Sequence, residues 1–282
     1  MKLKKRLSMV LVFAVLMCTL GLSSPVYAMG NAGYECTGQT SLFAFNYAPM
    51  GWVLCDGRIL NVSEYPVLFA LIGNTFGGDG TTTFALPNLT NASPISGAKY
   101  YMSIDGNWGF DASNLTIGEV CLLPDQLVQR TDALGSLFLK CDGSTYNISP
   151  YTAFFSVIGT AFGGNGTSTF SVPNLNNASP LAGLSYYIVC NGLYPSMDGS
   201  IGNEEFIGSI DLFAFTNRTF NNAAVCNGQT IATSSNVALY SLISTLYGGT
   251  TANFAVPDLR GAVPSPNFRY YMITVGCYPP RS

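Results

Sequence analysis

The stretch that decides the fold is Trp52-Val-Leu-Cys55-Asp56-Gly57, followed by the glycine-rich loop Phe76-Gly-Gly-Asp-Gly80 and the ending Phe84-Ala-Leu-Pro87-Asn-Leu89. The same order of motifs returns around Cys141 and again around Cys226, which lie 86 and 85 residues after the preceding copy. A Tyr-Tyr pair begins 13 residues after the proline of each copy. The chain therefore contains three copies of one module.

The repeat period indicates small domains rather than a continuous stack. About 85 residues is longer than the roughly 20 to 50 residues of solenoid repeats. It is also long enough to bury a small core. We therefore expect three successive domains, each with its own core. The joins between them are short, so adjacent domains should touch.

Together these motifs resemble the phage tail collar domain, the module of tail-fibre proteins and of bacterial proteins described as microcystin-dependent. Repeat 1 follows the family pattern nearly throughout, from Leu42-Phe-Ala44 to Leu89, and repeat 3 has the fullest ending, Pro257-Asp-Leu-Arg-Gly261. Repeat 2 departs most at its start, where Gly118-Glu-Val-Cys-Leu-Leu-Pro124 stands for the first strand. The resemblance covers roughly residues 38 to 275. It implies an α+β, β-rich fold of three tandem small collar-like domains, each with short strands and one short helix.

Local signals place the helix of each repeat between the Asp-Gly or Asn-Gly turn and the glycine-rich loop. In repeat 1, Ser63 is the expected N-cap and Gly73 the expected stop. In repeat 2, Ser149 is the expected cap and Gly159 the expected stop. The helix of repeat 3 is predicted from about Ser234 to Ile243.

The first residues have the pattern of a secretory signal peptide: a basic start, an apolar stretch from residue 7 to 22, and Val26-Tyr-Ala28 at the cleavage site. A membrane anchor is the alternative, but sixteen apolar residues fall short of the roughly 20 that span a bilayer. The next segment is either a disordered stub or an arm that adds a strand to a neighbouring subunit. The predicted divisions are a signal peptide at 1–28, an N-terminal arm at 29–37, repeats at 38–105, 118–190 and 207–277, and a C-terminal tail at 278–282.

Charge and composition favour an assembly. Without residues 1–28 the chain has eight basic and fifteen acidic residues, a formal charge of −7, which disfavours nucleic acid and anionic membranes as partners. Charged residues are only 10% of the chain, against roughly 25% in typical soluble domains. A secreted protein of this composition is expected to hide surface by polymerising.

Seven cysteines remain after a signal peptide is removed, and export permits disulfides. The resemblance implies that Trp52, Cys55, Cys141 and Cys226 are buried repeat-core residues. The candidates for disulfide or intersubunit bonding are Cys36, Cys121, Cys190 and Cys277. An odd count leaves at least one thiol unpaired or bonded to another chain. As a hypothesis, Cys36 and Cys277, at opposite ends, link successive subunits.

No enzyme is expected, and we predict no catalytic residues, metal or cofactor. The sequence has no histidine, which removes the commonest general base and most catalytic zinc sites. No Lys-Ser/Thr follows the glycine-rich loop, so a phosphate cradle is disfavoured. Asn165 and Thr250 stand at the position of Asp79, which argues against a repeated calcium loop.

Two functions fit the sequence. The first is a secreted structural protein that assembles with itself into an extracellular filament or surface appendage. The second is a secreted adhesin that binds a cell-surface glycan; its candidate ligand-facing residues are Tyr100, Tyr101, Tyr186, Tyr187, Tyr270 and Tyr271. Because alternate strand residues face opposite sides, one tyrosine of each pair is expected to be buried. A phage tail component is a third possibility, which the signal peptide disfavours.

Overall fold

A computed structural model describes residues 35–132, 135–196, 199–201 and 205–281. The predicted signal peptide and residues 29–34 of the predicted N-terminal arm lie outside these residues. The described chain is rich in short strands with a few short helices, which confirms the α+β, β-rich expectation.

The three repeats share one series of elements, to which repeat 2 adds a helix after its first strand. Repeat 1 contains β1 (Thr40–Phe43), β2 (Trp52–Leu54), β3 (Ile59–Asn61), α1 (Pro66–Ile72), β4 (Thr83–Ala85) and β5 (Lys99–Ser103). Repeat 2 contains β6 (Glu119–Pro124), α2 (Asp125–Thr131), β7 (Phe138–Lys140), β8 (Thr145–Asn147), α3 (Thr152–Ile158), β9 (Thr169–Ser171) and β10 (Leu184–Val189). Repeat 3 contains β11 (Ser209–Phe213), β12 (Ala223–Val225), β13 (Thr230–Ala232), α4 (Val237–Ile243), β14 (Asn253–Ala255) and β15 (Arg269–Ile273). Short 3₁₀ turns span Ala112–Asn114, Ser149–Tyr151 and Thr233–Ser235.

Within a repeat, the last strand lies between the first and the second. Thus β5 pairs with β1 and β2, β10 with β6 and β7, and β15 with β11 and β12, all antiparallel. The remaining two strands form a separate hairpin, β3–β4, β8–β9 or β13–β14. One helix packs beside each hairpin, so its apolar residues, such as Leu68 and Leu71, are buried.

The first strands join the repeats, and the expectation of separate cores is wrong. β11 pairs with β1, where Leu42 is opposite Ile210, and with β6, where Leu212 is opposite Val120. The hydroxyl of Thr40 in β1 donates to the Leu122 carbonyl in β6. The first strands of the three repeats therefore contact one another in a closed ring. In the described part of the chain nine strands therefore form one sheet. One hydrophobic cluster contains residues of all three repeats, because the paired first strands bring their apolar residues together.

A glycine before each first strand makes the same contact around the ring. Its φ is +90°, +90° and +88° in repeats 1, 2 and 3, a conformation that favours glycine. In each case a side chain of the repeat's own helix and a side chain of another repeat lie within 4 Å of the position that a Cβ would occupy. The three sets are Gly38 with Ile72 and Leu127, Gly118 with Val157 and Phe215, and Gly208 with Leu239 and Phe45. Repeat 1 thus contacts repeat 2, repeat 2 contacts repeat 3, and repeat 3 contacts repeat 1 through equivalent residues. The three repeats are therefore related by quasi-threefold symmetry.

The glycine-rich loops make a second set of contacts between repeats. Phe76 of repeat 1 lies against Gly183 of repeat 2. Phe162 of repeat 2 packs on Phe268 of repeat 3, with ring centroids 5.2 Å apart. The equivalent residue of repeat 3, Tyr247, reaches back to repeat 1.

The chain end closes the ring a second time. The hydroxyl of Tyr47 donates to the Pro279 carbonyl at 2.8 Å, and the N–H of Met50 donates to Pro280 at 2.9 Å. The Arg281 guanidinium lies 4.7 Å from the centroid of the Tyr47 ring. The end of the chain therefore packs on repeat 1.

Helix starts differ from the prediction, whereas the glycine stops are as predicted. α1 begins at Pro66 after Tyr65, which has no side-chain cap, so Ser63 is not the cap. Ser149 lies in a 3₁₀ turn before α3. Gly73 and Gly159 end their helices with φ of +62° and +55°. Ser244 has the same role in repeat 3 with φ of +48°, which is unusual for a non-glycine residue.

Candidate binding cavity where the three first strands meet

A cavity of about 70 Å³ lies where β1, β6 and β11 approach one another. Ser41, Cys121 and Asp211 occupy one equivalent position of the three strands and all line it. The fold thus brings together three positions that lie about 80 to 90 residues apart in sequence.

Carboxyl groups dominate the polar wall of this cavity. The described lining residues with a carboxyl group are Glu35, Asp111, Glu119, Glu205 and Asp211. None of the lining residues described is lysine or arginine. The wall is therefore strongly acidic when these groups are ionised.

Burial shifts the titration of the central carboxyl groups. Burial raises the pKa of Glu119 to about 7, against the opposing effect of the Thr116 N–H, which donates to Glu119 Oε2 at 3.3 Å. The pKa of Glu205 is raised by burial and then by the neighbouring charges, Asp211 first. The pKa of Asp211 is raised by burial and by Glu119. Each charge is unfavourable because water is partly excluded and like charges are close.

The first tyrosine of each predicted pair also lines this cavity, and the second lies in the core. Tyr100, Tyr186 and Tyr270 line the cavity. Each faces a leucine of its own first strand, for example Leu42 opposite Tyr100. Burial raises the pKa of Tyr100 and, secondarily, so do Tyr186 and Tyr270. Burial, followed by Tyr186, also raises the pKa of Tyr270.

The second tyrosines pack on the other side of the sheet strands. Tyr101, Tyr187 and Tyr271 are 2%, 6% and 1% exposed. The Tyr187 hydroxyl donates to Asp125 Oδ1 at 2.7 Å, and the Tyr271 hydroxyl donates to the Arg218 carbonyl at 2.8 Å. These side chains are fixed within the fold and do not form an outer surface.

The residues assigned to the repeat core are all buried. Trp52 and Cys55 of repeat 1, and the equivalent Cys141 and Cys226, lie in the hydrophobic clusters. Burial raises the pKa of all three thiols. A protonated, buried thiol is a poor nucleophile and a poor metal ligand.

The other cysteines differ in accessibility. Cys36, Cys121 and Cys190 are buried, whereas Cys277 is half-buried. No two cysteines of the described chain are bonded to each other. A bond between subunits through these residues remains a prediction, and Cys277 is the one nearest to solvent.

The glycine-rich loops use their polar residue to hold the backbone. Asp79 Oδ1 accepts the N–H groups of Thr81, Thr82 and Thr83 at 2.7 to 2.8 Å. The Asn165 side chain does the same for the matching residues of repeat 2. These hydrogen bonds hold the backbone of the loop in its turn, which explains why each of these two loops has an Asp or Asn at this position.

Within the residues that the structure describes, no group of three or more Asp, Glu, Cys or His side chains is arranged to hold a metal ion. Over the same residues, no helix has the length and apolar character to cross a membrane.

Glu119 and Asp211 were not among the residues that sequence reasoning selected. A signal was present, because aligning the three first strands puts Ser41, Cys121 and Asp211 at one position. Polar residues in the middle of otherwise apolar strands indicate a second use for that face. The sequence did not indicate that the three strands face each other.

Comparison with known families supports the repeat assignment. The family model for the phage tail collar domain matches three times, at residues 38–94, 130–180 and 208–264. No curated protein and no solved structure matches the chain. The three matches follow the observed repeats and together cover more than half of the chain. The protein is therefore a member of the phage tail collar domain family.

Proposed function

We propose that this protein is a secreted, non-enzymatic structural protein that assembles with itself into an extracellular filament or surface appendage. The collar family is structural rather than catalytic. The sequence contains no histidine, and the carboxylate of Asp79 is engaged by backbone N–H groups. Both observations support a structural role.

The observation that carries the proposal is a set of large apolar side chains at the surface of a chain with few charges. Their exposed fractions are about one half to two thirds, against burial of most other large apolar residues. They are Ile59, Trp108, Val237, Leu246, Val275 and Tyr278. We propose that these side chains are covered when subunits associate, as contiguous apolar patches of other proteins are.

Cys277 is the cysteine best placed to secure such an assembly. It is half-buried, whereas Cys36 is 1% exposed. A link through Cys36 requires the start of the described chain to open. We therefore favour a Cys277–Cys277 bond over the Cys36–Cys277 bond suggested by the sequence.

The test is negative-stain electron microscopy of the purified protein and of the producing cells, with and without reductant. We expect regular fibres that an antibody to this chain labels. Cys277→Ser is expected to lower fibre stability and to remove the disulfide-linked dimer from a non-reducing gel. Cys190→Ser, at a buried site, serves as the control and should retain the dimer. Dispersed monomers from the wild type under all conditions would exclude the filament.

A second candidate function, glycan binding by an adhesin, is favoured by three exposed aromatic residues. Trp108, Tyr194 and Tyr278 each lie seven residues after the second tyrosine of a pair and are 55%, 48% and 51% exposed. The hydroxyls of Tyr194 and Tyr278 lie 3.1 and 3.0 Å from Ser156 Oγ and Ser241 Oγ. The helices thereby fix two of the rings in place.

A glycan array with the wild type and with Trp108→Ala tests this alternative. Binding that Trp108→Ala weakens would support the adhesin. The control is Tyr101→Phe, which changes a buried residue of the predicted pairs and should leave glycan binding unchanged. An array on which the wild type gives no signal would contradict the adhesin function.

A further inference from the structure

A second cavity, of about 380 Å³, lies within repeat 3. It is bounded by the turn that follows β12, by residues of the 259–268 segment and by the start of β15. Binding sites for small organic molecules usually enclose roughly 300 to 1,000 Å³, whereas one water molecule needs only about 10 to 15 Å³. This repeat-3 cavity therefore has room for a molecule the size of a six-membered ring with its substituents.

The charge at the repeat-3 cavity is positive, in contrast to the protein as a whole. Arg260 and Arg269 line it, and none of its lining residues that the structure describes is Asp or Glu. Asp258 lies beside the cavity in an ion pair with Arg260, so the three groups carry two positive charges and one negative, a net +1. The chain beyond residue 28 has a formal charge of −7. A local positive potential attracts anions.

The ion pair holds Arg260 in place and leaves part of it available. Its Nε donates to Asp258 Oδ1 at 2.9 Å, and its Nη2 donates to Asp258 Oδ2 at 2.6 Å. A guanidinium has five N–H donors in a rigid fork, so three of them lie outside this pair. Because the group is already oriented, less entropy is lost when it binds a ligand.

The two arginines occur together only in repeat 3. The equivalent positions hold other residues in the remaining repeats, which are Thr90 and Lys99 in repeat 1 and Asn176 and Ser185 in repeat 2. Repeats 1 and 2 form the same strands at these places. Folding of the module therefore does not require the arginine pair.

The rest of the wall is mostly apolar, which indicates an organic anion rather than an inorganic one. A concave apolar wall with a few polar groups is the usual form of a small-molecule site. A planar carboxylate accepts two parallel hydrogen bonds from a guanidinium, and the apolar wall is left for the body of the ligand. The apolar lining residues used here are Val225, Leu259, Val263, Pro266 and Phe268.

We propose that the repeat-3 cavity binds the carboxylate of a ring-sized organic acid. Arg260 and Arg269 are its donors, and the apolar wall contacts its body. The acid is either a sugar acid, such as a uronic acid of a glycan, or a small apolar molecule, and the carboxylate contacts are the same in both cases. The site goes beyond the filament and does not depend on it, because binding is measured on the purified protein whether or not fibres form.

The experiment is ligand-observed saturation-transfer NMR with the purified protein at pH 7. The probes are benzoate and glucuronate, and their neutral counterparts, benzamide and glucose, are the matched controls. We expect a saturable signal from at least one acid and at most a small part of it from its counterpart. A signal from glucuronate alone would assign the site to a sugar acid, and a signal from benzoate alone to an apolar acid. Inorganic phosphate at the same concentration should displace little of the bound acid.

Two variants test the assignment. Arg260 is exposed, so Arg260→Gln should fold, and it should lower the affinity for the acid by about tenfold or more, as expected for loss of a charge-assisted hydrogen bond. Arg58→Gln is the matched control, because Arg58 forms the same two contacts with Asp56 in repeat 1 and does not line this cavity. It should bind the acid like the wild type.

Equal affinities of Arg260→Gln and the wild type would overturn the proposal. So would the absence of a signal from both acids, a signal of equal size from the neutral counterparts, or complete displacement by phosphate.

Discussion

The hydroxyl of Tyr247 donates a hydrogen bond of 3.0 Å to the carbonyl oxygen of Ala44, and this bond connects repeat 3 to repeat 1. Phe76 and Phe162 occupy the same position in the other repeats, so a phenylalanine fits there sterically. Tyr247→Phe should therefore lower the free energy of unfolding by about 1 kcal/mol, the usual net value of one hydrogen bond. Urea denaturation of the wild type and of Tyr247→Phe measures this change in the free energy of unfolding.

Tyr278→Phe is the control for that variant, because it removes an exposed hydrogen bond to Ser241. We expect a change smaller than about 0.5 kcal/mol, as for most surface substitutions. Equal losses for the two variants would contradict a special role of the contact between repeats 3 and 1.

Gly118 is a point where no side chain fits. An added Cβ would lie 2.9 Å from Phe215 Cδ1, and φ is +90°. Gly118→Ala should destabilise the protein by about 2 to 4 kcal/mol, combining an unfavourable backbone conformation with overpacking. Gly109→Ala is the matched control, because a Cβ at Gly109 would have no neighbour within 4 Å. Thermal and urea unfolding of both variants give the comparison, and similar effects would refute the packing argument.

Ser244 ends α4 in a conformation that glycine adopts in the other two repeats. Ser244→Gly should raise the free energy of unfolding by about 0.5 to 1 kcal/mol, because the strain of the positive φ is relieved. The reciprocal change, Gly159→Ser, should lower it by a similar amount. A loss of stability in Ser244→Gly would mean that the serine has a compensating contact.

The carboxyl groups of the central cavity make stability depend on pH. The folded protein holds the pKa of Glu119 at about 7 by burial, above the value near 4.3 of an unfolded chain. Below pH 4 the group is protonated in both states and its contribution is fully present. As pH rises toward and through 7, the unfolded chain has already released its proton, so this contribution is lost. Urea unfolding between pH 5 and 8, roughly the window of the shift, should show a decrease for the wild type.

Glu119→Gln should flatten this pH dependence. Glu205 and Asp211 also have raised pKa values, so part of the slope remains in the variant. The lining groups that face them and can titrate are Glu35, Asp111, Cys121, Tyr100, Tyr186 and Tyr270. Glu64→Gln, in an exposed hydrogen bond with Asn61, is the control and should keep the wild-type slope. A wild-type profile that rises with pH over this window would refute the argument.

The loop of repeat 1 depends on an acceptor, not on a charge. Asp79→Asn should leave the melting temperature near the wild-type value, because Asn165 already makes the same three backbone contacts in repeat 2. Asp79→Ala removes the acceptor and should melt below Asp79→Asn. If the two variants melt together, the hydrogen bonds of Asp79 contribute little to the loop.

Much of each repeat could be predicted because the signals are local. The glycine stops at Gly73 and Gly159 and the strand-forming Tyr-Tyr pairs are read from neighbouring residues alone. The three repeats were recognised for the same reason. The first residue of each helix was harder to predict, since α1 begins at Pro66 without a capping side chain.

The ring itself could not be predicted from one sequence. Leu127, Phe215 and Phe45 pack on glycines of other repeats, and nothing in their local sequence identifies the partner. The same holds for α2, a helix of repeat 2 where the other two repeats have loops. It is short, and its buried residues, Leu127 and Val128, depend on packing against other parts of the fold. The cavity follows from the ring and was therefore missed with it.

A ring of three modules within one chain differs from a trimer of identical chains in what it allows at its axis. A symmetric homotrimer must place three copies of one residue there. Here the three equivalent positions hold serine, cysteine and aspartate, at 41, 121 and 211. Gene duplication followed by independent change can thus build an asymmetric pocket on a symmetric scaffold. The covalent links also keep the modules at a fixed effective concentration, so dilution cannot separate them.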